Sequence, residues 1–150
     1  MANHCYNEIT IEAPPRIVQM FAEAVEDRTN LIEIFAPNTD LHLGTYLEAY
    51  SHMIRTESVI NISADSNHIA LSAFERACRV YPEIRKIEVR YSELHDQLLG
   101  YYHSDFGNTR FDAPSTRAAL DAFNEAHPIM AEFAEAEIGF ILEAEEEDEQ

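Results

Sequence analysis

The stretch CYNEITIE, residues 5–12, alternates without a break. Cys5, Asn7, Ile9 and Ile11 fall on one side, and Tyr6, Glu8, Thr10 and Glu12 on the other. A period of two predicts a strand. Pro14-Pro15 closes it, and Pro15 suits the first turn of a helix. That helix follows in RIVQMFAEAVEDR, with Ile17, Phe21, Ala24 and Val25 on one face and Glu23, Glu26 and Asp27 outside. From Asn30 to Leu43 the pattern is mixed, and APNTD is a turn cluster. TYLEAYSHMI and SVINIS, rich in β-branched residues and tyrosine, predict two strands joined through RTE. ADSN predicts a turn, with Ser66 or Asn67 capping a helix over NHIALSAFERACRVYP. Ile69, Ala73, Phe74, Ala77 and Val80 keep helical spacing there. Alternation returns in IRKIEVRYSE, with Ile87, Val89 and Tyr91 inward. LLGYYHS and TRFD complete an antiparallel pair around SDFGN, where Gly107-Asn108 supplies the turn.

The order to Asp112 is β-α-β-β-α-β with an added strand. Sequential pairing and right-handed crossovers then predict an α+β fold, a ferredoxin-like antiparallel sheet with two helices on one face. Beyond it, Ser115 is a candidate cap for TRAALDAFNEAH, with Leu120 and Phe123 on its apolar side. Pro128 breaks or kinks that helix. PIMAEFAEAEIGFILEA resumes one, with Ile129, Phe133, Ala136, Phe140 and Ile141 along a stripe. The expected organisation is a ferredoxin-like unit over residues 1–112, helices packed on it over 113–142, and an acidic tail over 143–150. No repeat is visible, and no Pro/Gly/Ser linker divides the chain.

Composition changes this picture in one respect. The 150-residue chain is long enough for its own core, and 46% hydrophobic residues predict that it folds. Its formal net charge, however, is −18, where a small domain is comfortable at a magnitude of about 2–8. That charge disfavours direct contact with nucleic acid or an anionic membrane. No stretch approaches the roughly 18 apolar residues of a membrane span. MANHCYNEIT lacks the basic and apolar regions of a signal peptide. The expected location is therefore the cytoplasm, where Cys5 and Cys78 stay reduced and serve as small buried side chains.

Several segments line up with one family. MANHCYNEITIEAP, with Asn3, Cys5, Asn7 and Pro14 in place, resembles the opening of the YubB-type ferredoxin-like proteins of plasmids and phages. Gly44-Thr45-Tyr46-Leu47-Glu48-Ala49 echoes that family's glycine-threonine-x-tryptophan-aspartate-alanine stretch. LSAFERACRVYPEIRKIEVRYSE is similar to its helix ending in tyrosine-proline and the strand after it, and Glu93 and Gly100 match its glutamate and following glycine. The resemblance spans roughly residues 1–103. His4 and Leu47 stand where tryptophans are usual, and ADSNH replaces a threonine-alanine-tryptophan-serine-proline-proline loop. The resemblance implies the fold and a mobile-element origin, with any shared pocket remodelled, and it implies no activity.

A search for chemistry returns little. The seven histidines form no HxH or HExxH pair, and there is no CxxC. His95 and Asp96 with His103 are the one set that a hairpin could bring together. Cys78 lies near Arg76 and Arg79, but its helical phase beside Phe74 and Ala77 gives it a buried structural role. There is no GxSxG and no phosphate-binding glycine loop. Tyr6, Tyr46, Tyr50, Tyr91, Tyr101 and Tyr102 suggest an aromatic sheet face of the kind on which bases stack, yet the cations such a surface needs are sparse. No catalytic residue, cofactor or metal is expected.

The charge remains. Residues 1–110 hold 16 acids and 9 bases, whereas residues 111–150 hold 12 acids and 1 base. Carboxylates three or four residues apart on a helix lie about 5–6 Å apart, close to the phosphate spacing of a nucleic-acid strand. Acids at a helix C-terminus oppose its dipole, so local stability does not explain them. The expectation is a non-enzymatic inhibitor from a phage or plasmid that occupies the basic nucleic-acid-binding surface of a host defence protein, of anti-CRISPR or anti-restriction type. Its candidate contacts are Glu132, Glu135, Glu137, Glu143, Glu145, Glu146 and Glu147, with Asp105 and Asp121. The alternatives are a small-ligand or metal-dependent enzyme on the sheet face near His4, Glu48, Glu93 and His95, and a homo-oligomeric accessory protein joined through Phe133, Phe140 and Ile141, for example as a homodimer.

Overall fold

The computed structural model describes residues 4–37 and 46–148, the side chains of Met53 and 146–148 excepted. Six strands form one antiparallel sheet in the order β2-β3-β1-β4-β5-β6. They are β1 (Cys5–Glu12), β2 (Leu47–Thr56), β3 (Val59–Ser66), β4 (Lys86–Glu93), β5 (Leu98–His103) and β6 (Gly107–Asp112). The first four, with α1 (Pro15–Glu26) after β1 and α3 (Leu71–Val80) after β3, make the ferredoxin-like arrangement that the pattern predicts. A short helix, α2 (Ile32–Phe35), interrupts the mixed region, its residues Ile32 and Phe35 buried. The remaining turn cluster, with Asn3, Gly44 and Thr45 of the family-like segments, lies outside the described residues.

β1 shows why the sheet has two cores. Its alternation buries Cys5, Asn7, Ile9 and Ile11 against α1 and α3, together with Ile60, Ile62, Ile87, Val89 and Tyr91. The opposite face of the strand carries Tyr6, which joins a second cluster of Leu99, Leu120, Met130, Phe133, Ala134, Ile138 and Leu142. That cluster seats α4 (Arg117–Ala126), α5 (Pro128–Ala134) and α6 (Phe140–Asp148) on the outer face of the sheet. Helices therefore lie on both faces. Among the described residues no helix is long and apolar enough to cross a membrane.

Several local expectations are corrected. ADSN is not a turn: Ala64, Asp65 and Ser66 belong to β3, paired with Asn7, Tyr6 and Cys5. Ser66 caps no helix, because it accepts from the Asn7 amide and its hydroxyl donates to the His68 carbonyl at 2.6 Å. Nor does Asn67: α3 begins after Ala70 with no side-chain cap. The β2–β3 connection is the two-residue turn Glu57-Ser58. In the last hairpin the turn is Ser104–Phe106, and Gly107 opens β6 with φ of 86°, a conformation that glycine adopts freely. Thr116, not Ser115, caps α4 by accepting from the Ala119 N–H at 3.0 Å.

The C-terminal stripe is rotated. A π-helical turn, Glu135–Gly139, separates α5 from α6, and its wider winding changes which residues face the sheet. Met130, Phe133, Ala134, Ile138 and Leu142 are buried, whereas Ile129 and Phe140 are 49% and 67% exposed and Ile141 38%. The stretch read as a tail from Glu143 continues α6 through Asp148.

Gly100 pairs with Tyr91 across β4 and β5, and the Tyr91 ring lies over it, its hydroxyl donating to Asn108 Oδ1 at 2.7 Å. A Cβ at Gly100 would overlap that ring. Gly100→Ala is accordingly expected to destabilise the fold by about 1–3 kcal/mol, the usual cost of overpacking, as read by chemical denaturation.

Candidate functional site

The acidic residues singled out by charge fall into separate groups. Arg117, at the start of α4, ties three of them together: it pairs with Asp121 at 2.7 Å, with Glu135, and with Glu143 at 3.6 Å. Asn124 adds a hydrogen bond to Glu135 at 3.1 Å. Glu135 and Asp121 raise the Arg117 pKa further above its usual range. Glu132 and Glu145 are exposed on α5 and α6. Glu146 and Glu147 continue α6, their side chains outside the described residues. Asp105 stands apart in the β5–β6 turn. The layer is therefore a folded acidic surface whose single base is already engaged.

Glu137 does something different. Two residues after Glu135 on the π-helical turn, it points to the sheet, where the Ser92 hydroxyl donates to it. Burial raises its pKa; the Ser92 hydrogen bond and His4 oppose that, while Glu8 and Asp65 add to it. It helps to line a cleft of about 560 Å³ over the ends of β1, β3 and β4, shared with His4, Asp65, Ser92 and His95. His4 Nε2 lies 3.0 Å from Asp65 Oδ1. Tyr6 and Tyr50 complete the aromatic side, their ring centroids 6.1 Å apart.

This cleft holds two of the four sheet-face residues considered from sequence. His4 and His95 meet there; Glu93 does not, because strand parity turns it inward, where its carboxylate accepts from the Ile69 N–H at 3.1 Å ahead of α3. Glu48 is exposed on β2 opposite Asp65 but outside the cleft. Asp65 and Ser92 were missed, and Tyr6 was named only as part of an aromatic sheet face. The β1 alternation contained the signal for Tyr6, and reading ADSN as a turn concealed Asp65.

Other possibilities are resolved by position. His95 and Asp96 precede β5, whereas His103 ends it, so the strand separates them by its full length. Among the described residues no three His, Cys, Asp or Glu side chains are arranged to hold a metal ion. The tyrosines form no continuous platform: Tyr91 and Tyr102 belong to the inner core, and Tyr6 and Tyr101 pack against the outer one. Burial pushes the Cys5 thiol up to about 12, and it also raises the half-buried Cys78. Neither is bridged.

Comparison with protein-family models, with curated proteins and with solved structures returned no match. The site is read from its own chemistry.

The raised Glu137 pKa gives a signed expectation. A carboxyl with a folded pKa above its unfolded value favours folding most when protonated, and that benefit is lost as pH rises through the folded pKa. Glu137→Gln keeps an acceptor for Ser92 and removes the charge. The variant is expected to melt above the parent near pH 8, with the difference vanishing below the unfolded pKa of about 4.3. Thermal melts across that range check it.

Proposed function

We propose that the chain is a non-enzymatic acidic binding protein, encoded by a phage or plasmid and acting in the bacterial cytoplasm. It occupies the basic nucleic-acid-binding surface of a host defence protein, in the manner of an anti-CRISPR or anti-restriction inhibitor. The observation that carries this reading is the helical layer α4–α6, a folded part of a forty-residue segment with 12 acids and 1 base. Its base, Arg117, is spent on Asp121, Glu135 and Glu143, so the layer offers an incoming cation excess carboxylates. The resemblance to YubB-type proteins supports the mobile-element origin.

Physics favours such a surface over a solubility tail in two ways. Carboxylates set on packed helices keep their spacing, so binding does not have to order a flexible chain. A strongly negative face also speeds encounter with a basic groove and makes the complex salt-dependent. Glu132, Glu143 and Glu145 are the exposed contacts of α5 and α6, with Glu146 and Glu147 following along the same helix.

The test is phage plating on bacterial strains that each carry one defined restriction or CRISPR system. Expression of the chain is expected to restore plating against at least one system. The triple variant Glu132→Lys, Glu143→Lys, Glu145→Lys is expected to lose most of that rescue while remaining folded. Binding to the purified target should weaken as salt rises and be displaced by the target's own nucleic acid. Rescue by the triple variant equal to that by the parent contradicts the reading, as does the absence of rescue in every strain.

A further inference from the structure

The cleft at the ends of β1, β3 and β4 is not absorbed by the acidic layer. Its volume of about 560 Å³ lies within the range of small-ligand pockets, about 300–1,000 Å³. Asp65 and Glu137 both line it, and Glu8, which accepts from the Tyr6 hydroxyl at 3.3 Å, acts on Glu137 from beside it. No lysine or arginine is among the described residues of its lining. Glu8 and Asp65 both act on Glu137, and the bases of the lining are two histidines, His4, 3.0 Å from Asp65, and His95. An anion is therefore repelled from this space and a cation attracted.

The aromatic side narrows the choice. Tyr6 is fixed by stacking on Phe133 with centroids 6.0 Å apart and ring planes within 8°, while Tyr50 beside it is 58% exposed. Ring faces attract organic cations, and guanidinium best combines such a face with carboxylate acceptors. A bare divalent ion needs converging ligands instead, and none converge among the described residues.

We propose that this cleft binds a guanidinium or primary ammonium group, with Asp65 and Glu137 as acceptors and Tyr6 and Tyr50 as the aromatic wall. The group belongs either to a free small amine or to an arginine or lysine side chain of another protein. The site goes beyond the acidic-layer reading and does not depend on it, because Glu132, Glu143 and Glu145 are outside the cleft lining.

The test is a nuclear magnetic resonance titration of the full chain, isotope-labelled and held near pH 8, where an ordinary imidazole is neutral. The probes are butylguanidinium and its uncharged counterpart butylurea. Butylguanidinium is expected to give saturable shifts at the amides of Tyr6, Tyr50 and Ser92, and butylurea none. Asp65→Asn and Glu137→Gln are each expected to weaken binding about tenfold or more, the loss of one charge-assisted hydrogen bond. Tyr50→Leu, at an exposed position, supplies a variant that leaves the core untouched and should weaken binding as well. Agmatine and a capped Gly-Arg-Gly peptide separate the sources: tighter binding of agmatine points to a free amine, and tighter binding of the peptide to a protein side chain. Equal shifts from butylguanidinium and butylurea, or no shift at the cleft with either, overturn the proposal whatever the plating experiment shows.

Discussion

Tyr6 lies flat against Phe133 on the outer face of β1, and this contact helps to join the ferredoxin-like sheet to everything after residue 112. A strand has two faces, and a helix-covered sheet of this kind needs only one of them to be apolar. Here the second face also supplies apolar groups, Leu99 and Tyr101 from β5 and Phe111 from β6, and the C-terminal helices bury them. Isolated helices of about ten residues are marginal in water, so α4, α5 and α6 depend on this second core for their order.

That dependence explains the placement of the charge. Packing on the sheet uses Met130, Phe133, Ala134, Ile138 and Leu142, which leaves the remaining positions of α5 and α6 for carboxylates. The π-helical turn then separates two close neighbours: Glu135 faces Arg117 on α4, and Glu137 faces Ser92 on β4. One glutamate strengthens the helical layer through a shared counter-charge. The other sits half-buried without an ion pair among the described contacts, as one wall of a cleft.

The regular parts of the fold were legible because period determines face. The alternation of β1 and of Ile87, Val89 and Tyr91, and the helical spacing of Phe21 and Phe74, led directly to the inner core. The failures lie where one residue type suits two environments. ADSN has turn composition, yet pairing with β1 and β2 keeps Ala64, Asp65 and Ser66 extended. The apolar residues of the last helix admit two stripes, and the π-helical turn selects the one that sequence spacing did not favour. The cleft was half legible: His4 and His95 could be named for it, whereas Glu137 was named only as an acidic contact and Asp65 is brought there by pairing of β3 with β1.

The central claim is that the acidic helices are an integral layer of the folded protein and not an appended tail. Residue-resolved hydrogen exchange under native conditions tests it most directly, because short helices protect their amides only when docked. The amides of Phe133, Ala134 and Leu142 are predicted to exchange with protection comparable to Ile9 and Ile11 of β1. Rapid exchange throughout α4–α6 beside a protected sheet would contradict the account.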